Sequence, residues 1–275
     1  MKRGKTILIF MALMCFCSSV AAQTSCCCAI DDQNITIGIK GGFSIPNLTG
    51  GGSDNELSSG YSSRLGPTYG AYGEYHFSSL FSVSVGAEYS SQGGKKDGLQ
   101  AFSASSWLTK VPSAEQTIFS SLLGNTKYLY ADYKSEAKIN YLLIPVLARV
   151  TKQLGQSSPF SVYAAVGPFL GILLNAKQVT SGSSKIYTDA AGTNEFFSAL
   201  GTQSFDNTED IKSDLHPFNV GVEGFVGISY KLTNHHALFV EGGGNFGFIP
   251  IQISSDDGKN RTGAGTVTLG YAYTF

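Results

Sequence analysis

The sequence predicts an all-β fold: an eight-stranded antiparallel transmembrane β-barrel with short periplasmic turns and long extracellular loops carrying short helices. Three observations predict it. Eight segments alternate large apolar with small or polar residues at period two. The connections between them alternate long and short. Charged residues are only 14% of the chain, against 33 Gly, 14 Tyr and 18 Phe, a balance suited to strands that cross lipid and turn tightly. The formal net charge of −1 supplies no basic field for nucleic acid, so no nucleic-acid partner is expected.

The chain opens "MKRGKTILIFMALMCFCSSVAAQ". Lys2, Arg3 and Lys5 form a positive leader, and Ile7 to Phe16 an apolar stretch too short to span a membrane as a helix. Val20 and Ala22 are the small residues before a cut, so residues 1–22 read as a signal peptide cleaved after Ala22. Residues 23–34 then form a periplasmic tail and residues 35–275 the barrel. Cys26, Cys27 and Cys28 are adjacent and bridge one another only with strain. Either Cys26 carries lipid, although Gln23 stands where a lipoprotein signal wants Leu, or the tail is flexible with free or mixed thiols.

The strands follow in order. Ile35, Ile37, Ile39, Phe43 and Ile45 share one face, with Thr36, Lys40 and Ser44 on the other. Pro67 to Phe77 and Phe81 to Gln92 make a hairpin, their inward faces carrying Glu74, His76, Ser82, Ser84 and Glu88. Ile139 to Val150 is apolar on both faces, with Tyr141, Leu143, Leu147 and Arg149 inward. Phe160 to Leu174 turns Tyr163 and Phe169 inward. Phe218 to Leu232 sets Val220, Val222, Val226 and Ile228 against Glu223 and Lys231; the seventh segment sets Leu238 and Val240 against Glu241 and Asn245. The last, "GAGTVTLGYAYTF", places Val267, Leu269, Tyr271, Tyr273 and Phe275 on one face. Tyr271, Tyr273 and Phe275 form the aromatic end that outer-membrane assembly machinery selects in such barrels.

The connections test this reading independently. "HFSSLF", "TKQLGQSSP" and "TNHHA" are short, while "NLTGGGSDNELSSGYSSRLG" and two stretches from Gly94 to Ser135 and Asn175 to His216 are long. That asymmetry belongs to outer-membrane barrels, whose outer face meets membrane lipid. A soluble lipocalin-like barrel, with its apolar face around a ligand, is the competing architecture.

"GIKGGFSIPNL", "GPTYGAYGEYHFSSLFSVSVGAEYSSQGGK", "YLLIPVLARV", "VYAAVGPFLGILL" and "VTLGYAYTF" resemble the PorT-like outer-membrane β-barrel family of Bacteroidetes, from about Ile35 to the end. The resemblance implies an outer-membrane barrel and no single activity. The YL-x-IP element often carries an acidic or amide residue where this chain has Leu143, so a more apolar lumen is expected there.

Eight strands enclose an interior that their own side chains can fill. Lys40, Glu74, Glu88, Arg149, Glu223, Lys231 and Glu241 are expected to pair there as an ion network. A proton or ion path is the functional alternative to such a plug. His76 with Ser78 has the residue types of a lipid hydrolase, but His76 lies near the periplasmic rim, and catalysis would need an orienting acid besides. The His235–His236 pair points apart, and "DDGKN" at Asp256 lacks calcium-loop spacing. No catalytic residue, metal or cofactor is assigned.

The long loops carry the remaining signal. In "SAEQTIFSSLLG", Ser113 and Gln116 suit a capping box and Gly124 a helix stop. In "TNEFFSALG", Asn194 suits a cap and Gly201 a stop. Two facing helices could bury Ile118, Phe119, Leu122, Phe196, Phe197 and Leu200 against each other, or present them outward as a docking patch for an envelope protein partner. Three functions stay open: a non-enzymatic barrel that binds a partner or surface ligand through its loops, in secretion or envelope assembly; a narrow transport conduit, separable by single-channel conductance; and an envelope lipid hydrolase, exposed by lipid analysis.

Overall fold

The computed structural model describes residues 35–50, 56–254 and 258–275. Ala22, the cysteine run and the Asp256 turn lie outside the described residues. Eight strands form the frame: β1 (Ile35–Thr49), β2 (Gly66–His76), β3 (Phe81–Ser103), β4 (Tyr128–Gln153), β5 (Phe160–Ser181), β6 (Phe218–Lys231), β7 (His236–Gly247) and β8 (Arg261–Thr274). Each pairs antiparallel with its sequence neighbours, and β1 closes the ring on β8 from Thr36↔Thr274 to Thr49↔Arg261. Closure leaves the ring without a free edge.

Alternation decides which face is which. Ile37, Ile39, Phe43, Val166, Val226, Ile228, Val267 and Leu269 all stand exposed on the outer wall. An apolar belt encircling a protein is untenable in water and is what hydrocarbon solvates. The lipocalin-like alternative required the opposite sidedness. At the short-turn end the belt finishes in paired rings: Tyr75 with Phe77 at 5.0 Å, Phe160 with Tyr230 at 4.9 Å, and Tyr273 with Phe275 at 5.0 Å. Such rings suit the polar–apolar boundary of a bilayer.

The inner wall accounts for the many glycines and aromatics together. A Cβ added to Gly270 would lie 2.0 Å from the Phe239 ring, and one on Gly38 would lie 2.4 Å from the Tyr72 ring. Each inward ring lies flat on the next strand only because no side chain grows there.

The long connections differ from expectation. β3 continues to Ser103, β4 begins at Tyr128, and β5 runs to Ser181, where Asn207–Asp210 adds a further strand. Much of what reads as loop is therefore a sheet rising above the rim on one side of the ring. Register survives the charged and glycine-rich stretch because Lys95↔Glu136 and Lys96↔Ser135 remain paired.

The helices differ too. α1 (Ala104–Leu108) is capped by Ser103 Oγ, which accepts from the Ser106 N–H. α2 (Ser113–Leu123) begins after Pro112, so Ser113 is its first helical residue and makes no cap. The Ser113–Gln116 box is thus absent; Gln116 Nε2 instead donates to Val111 O at 2.9 Å. Gly124 ends α2 at φ 51. In the second loop the expected helix is only a 3-10 turn, Ser198–Leu200, stopped by Gly201. Asn194 caps nothing, because the turn starts at Ser198 with Phe197 in the cap position.

Candidate functional site

Two layers fill the lumen. Toward the short turns, Lys40 Nζ meets Glu88 at 2.7 Å and Glu241 at 3.0 Å. Arg149 meets Glu74 at 2.6 Å and reaches Glu241 at 4.0 Å. Neutral donors complete the set: Tyr163 OH and Thr268 Oγ1 donate to Glu241 at 3.0 and 3.1 Å, and Ser82 Oγ donates to Glu74. The cations also lie over rings, Lys40 at 4.1 Å from the Phe225 centroid and Arg149 at 3.9 Å from that of Tyr163. Charges so buried persist only when paired and hydrogen-bonded.

The structure thus brings Lys40, Glu74, Glu88, Arg149 and Glu241 together. Glu223 makes no ion pair with them but lies within electrostatic reach of Lys40, Glu88 and Glu241; it is 2% exposed, and its Oε2 has no hydrogen-bond partner among the described residues. Lys231 departs from expectation. It has inward parity but is the last residue of β6 and stands exposed at the rim. Parity assigns a face; only depth assigns an environment. Sequence reasoning omitted Tyr163, Thr268 and Ser82 from the network, although all three occupy inward positions on their strands.

Above this layer one side of the lumen is apolar, and elsewhere at that height Gln92 Nε2 donates to Asn245 Oδ1 at 3.1 Å and Asn219 Nδ2 to Thr262 Oγ1 at 3.5 Å. Ile139, Tyr141 and Leu143 from β4 pack with Phe169 and Leu173 from β5, and Leu48, Leu215 and Ile251 fold in from the mouth. Leu143 is 3% exposed within this plug, where the sequence anticipates an apolar lumen. The void beside the ion network holds about 20 Å³, room for roughly one water.

The other candidate groups are engaged locally. His76 Nε2 lies 2.9 Å from Thr36 Oγ1, and Ser78 Oγ accepts from the Leu80 and Phe81 amides within its turn. His235 Nδ1 meets Thr274 O while His236 Nδ1 meets Tyr271 OH. Among the described residues no cluster of His, Cys, Asp or Glu is placed to hold a metal.

At the far end the loop helices divide the six expected patch residues. Phe119 is 5% exposed, packed on Trp107 at 5.5 Å, Phe196 at 6.1 Å and Phe197 at 5.9 Å. Phe196 and Leu200 are half-buried. Ile118, Leu122 and Phe197 stand outward, at 60%, 52% and 42% exposure. The facing segments therefore bury part of the set against each other and expose the rest.

Beneath this cap lies a cavity of about 740 Å³, walled by inward residues of the raised sheet and floored by the apolar plug. Lys96 lines it, and burial pushes its ammonium down to about 8.

The family described as outer membrane protein beta-barrel domain matches residues 21–252. The chain belongs to this family. No match was found among curated proteins. Among solved outer-membrane barrels, the Neisserial surface protein A is similar at 12% identity over 88% of this chain and 97% of that one, with a TM-score of 0.37. The attachment invasion locus protein Ail of Yersinia pestis is 11% identical over 88% and 99%, with a TM-score of 0.35. OprG of Pseudomonas aeruginosa is 15% identical over 88% and 97%, with a TM-score of 0.35. As an outer membrane β-barrel the protein resides in the outer membrane, its short turns periplasmic and its raised sheet, cap and cavity extracellular.

Proposed function

We propose that the protein is a non-enzymatic outer-membrane barrel that binds an envelope protein partner through its extracellular cap, in a secretion or envelope-assembly setting. The observation that carries this reading is the position of Ile118, Leu122 and Phe197, apolar side chains exposed at 60%, 52% and 42% on loops well away from the lipid belt. Exposed apolar area outside the membrane is costly unless something covers it. A lumen closed by ion pairs and an apolar plug argues against a conduit. The turn bonds held by Ser78 argue against a hydrolase built on His76. Outer-membrane lipid solvates the belt, and the assembly machinery reads the terminal face of Tyr271, Tyr273 and Phe275.

The test is a photo-crosslinking residue at Leu122 in intact cells. A discrete adduct with one envelope protein is expected, and Ile118→Glu should remove it while the barrel keeps its heat-modifiable gel mobility. An adduct indifferent to Ile118→Glu, or none at all, would end the docking reading. Phe119 is unsuitable as a probe, because its burial ties any substitution to the packing of the cap.

A further inference from the structure

The extracellular cavity is a cup with a closed floor. Ile139, Leu215 and Ile251 belong both to its lining and to the plug below, so whatever enters must leave by the same side. Its volume of about 740 Å³ falls within the usual range for sites that take small molecules. Flat apolar surfaces form its walls: Tyr133 stacks on Phe205 at 4.7 Å, Phe102 meets both edge-on, and Trp107 closes one side.

One charge in the lining is placed differently from the others. Glu209 pairs with Lys110 at 2.8 Å on the exposed rim. Asp206 accepts from the Gly182 amide at 3.0 Å and from Ser204 Oγ at 3.1 Å, and Asp214 accepts from Ser213 Oγ at 3.1 Å. Lys96 is 9% exposed, donates to Leu57 O at 2.8 Å and lies 4.4 Å over the Tyr61 ring. Among the described residues no carboxylate stands within ion-pair distance of it. An ammonium has three donors, and the Leu57 carbonyl uses one. A half-desolvated cation without a counter-charge attracts an anion more strongly than a surface lysine does.

We infer that this cup binds a small amphipathic organic anion, with its acid group on Lys96 Nζ and its flat apolar body against Phe102, Trp107 and Phe205. The aromatic walls supply contact area without direction. Lys96 supplies direction, and so discriminates an acid from a neutral analogue of the same shape. The site uses none of Ile118, Leu122 or Phe197, so it stands or falls separately from the docking surface.

The probe is 2-naphthoate, compared with neutral 2-naphthamide, titrated calorimetrically into the full chain in lipid nanodiscs. Trp107 is the single Trp of the chain and gives a second readout by emission. Saturable binding of naphthoate is expected, with the amide about tenfold or more weaker. Lys96→Met should reduce the acid to the level of the amide, and Lys96→Arg should restore the preference. Absence of saturable naphthoate binding would overturn the assignment, as would equal binding of acid and amide by the unsubstituted protein. Should Lys96→Met lose heat-modifiable mobility, that acid–amide comparison and Lys96→Arg still decide the question.

Discussion

The periplasmic half of the lumen is filled with charge, whereas the outer half sets an apolar plug from β4 and β5 beside the hydrogen-bonded amides Gln92, Asn219 and Asn245, though the same strands wall both. β4 passes through the two in turn. Arg149 reaches Glu74 and Glu241, whereas Leu143, Tyr141 and Ile139 a few residues away pack in the plug. Ion pairs are directional, so the lower half tolerates only an arrangement in which each partner is present. Hydrocarbon is not directional, so the plug in the upper half depends on volume filled. The difference teaches that a narrow barrel can be closed by two unrelated physical means, and that the two should fail in different ways.

Arg149→Met would separate them most sharply. It leaves Glu74 buried without its cation, at a cost of roughly 3–5 kcal/mol. Urea unfolding in detergent should show the loss, and the double variant Arg149→Met with Glu74→Gln should recover part of it. A single variant as stable as the parent would show that the network is not what holds the lower half. In the plug, Leu143→Ala should cost about 2–4 kcal/mol through lost contact and residual cavity. No partner substitution should rescue it except one that restores volume. Lys231→Ala, exposed at the rim, should change stability by less than about 0.5 kcal/mol. A larger effect would extend the charged layer further toward the periplasm than the geometry places it.

The ring was legible because one face of each strand must meet lipid. That demand writes period two into Ile35 to Ile45 and into Val220 to Ile228, interrupted on the outward face only by Gly41 and Gly224. It lapses once the strands leave the membrane. Across Gly93 to Gly98 the sequence offers glycines and charges, and the sheet persists there through backbone pairing that no side-chain pattern announces. Tyr128 to Tyr133 held a usable signal, since Leu129, Ala131 and Tyr133 alternate inward, but its polar neighbours read as loop. The capping box failed by one position, because Pro112, not Ser113, occupies the N-cap of α2. In the candidate sites, face was readable and depth was not. Lys231 shows this in the network, and Phe119 shows it in the cap. Lys96 gave no signal at all, since its significance comes from β4, β5 and the loop residues that close over it.

The seam between β1 and β8 has a consequence for how the molecule comes into being. Thr36 and Thr274 share a hydrogen bond across a separation of 238 residues, so the contact that completes the ring is among the longest in sequence that the chain makes. Loop-closure entropy makes such contacts slow to form. Until they form, two strands present unpaired backbone, and β1 and β8 are each a template for joining another chain. An exported chain therefore spends its vulnerable period as an open ribbon with adhesive margins. The step that makes it safe is the meeting of its first strand with its last.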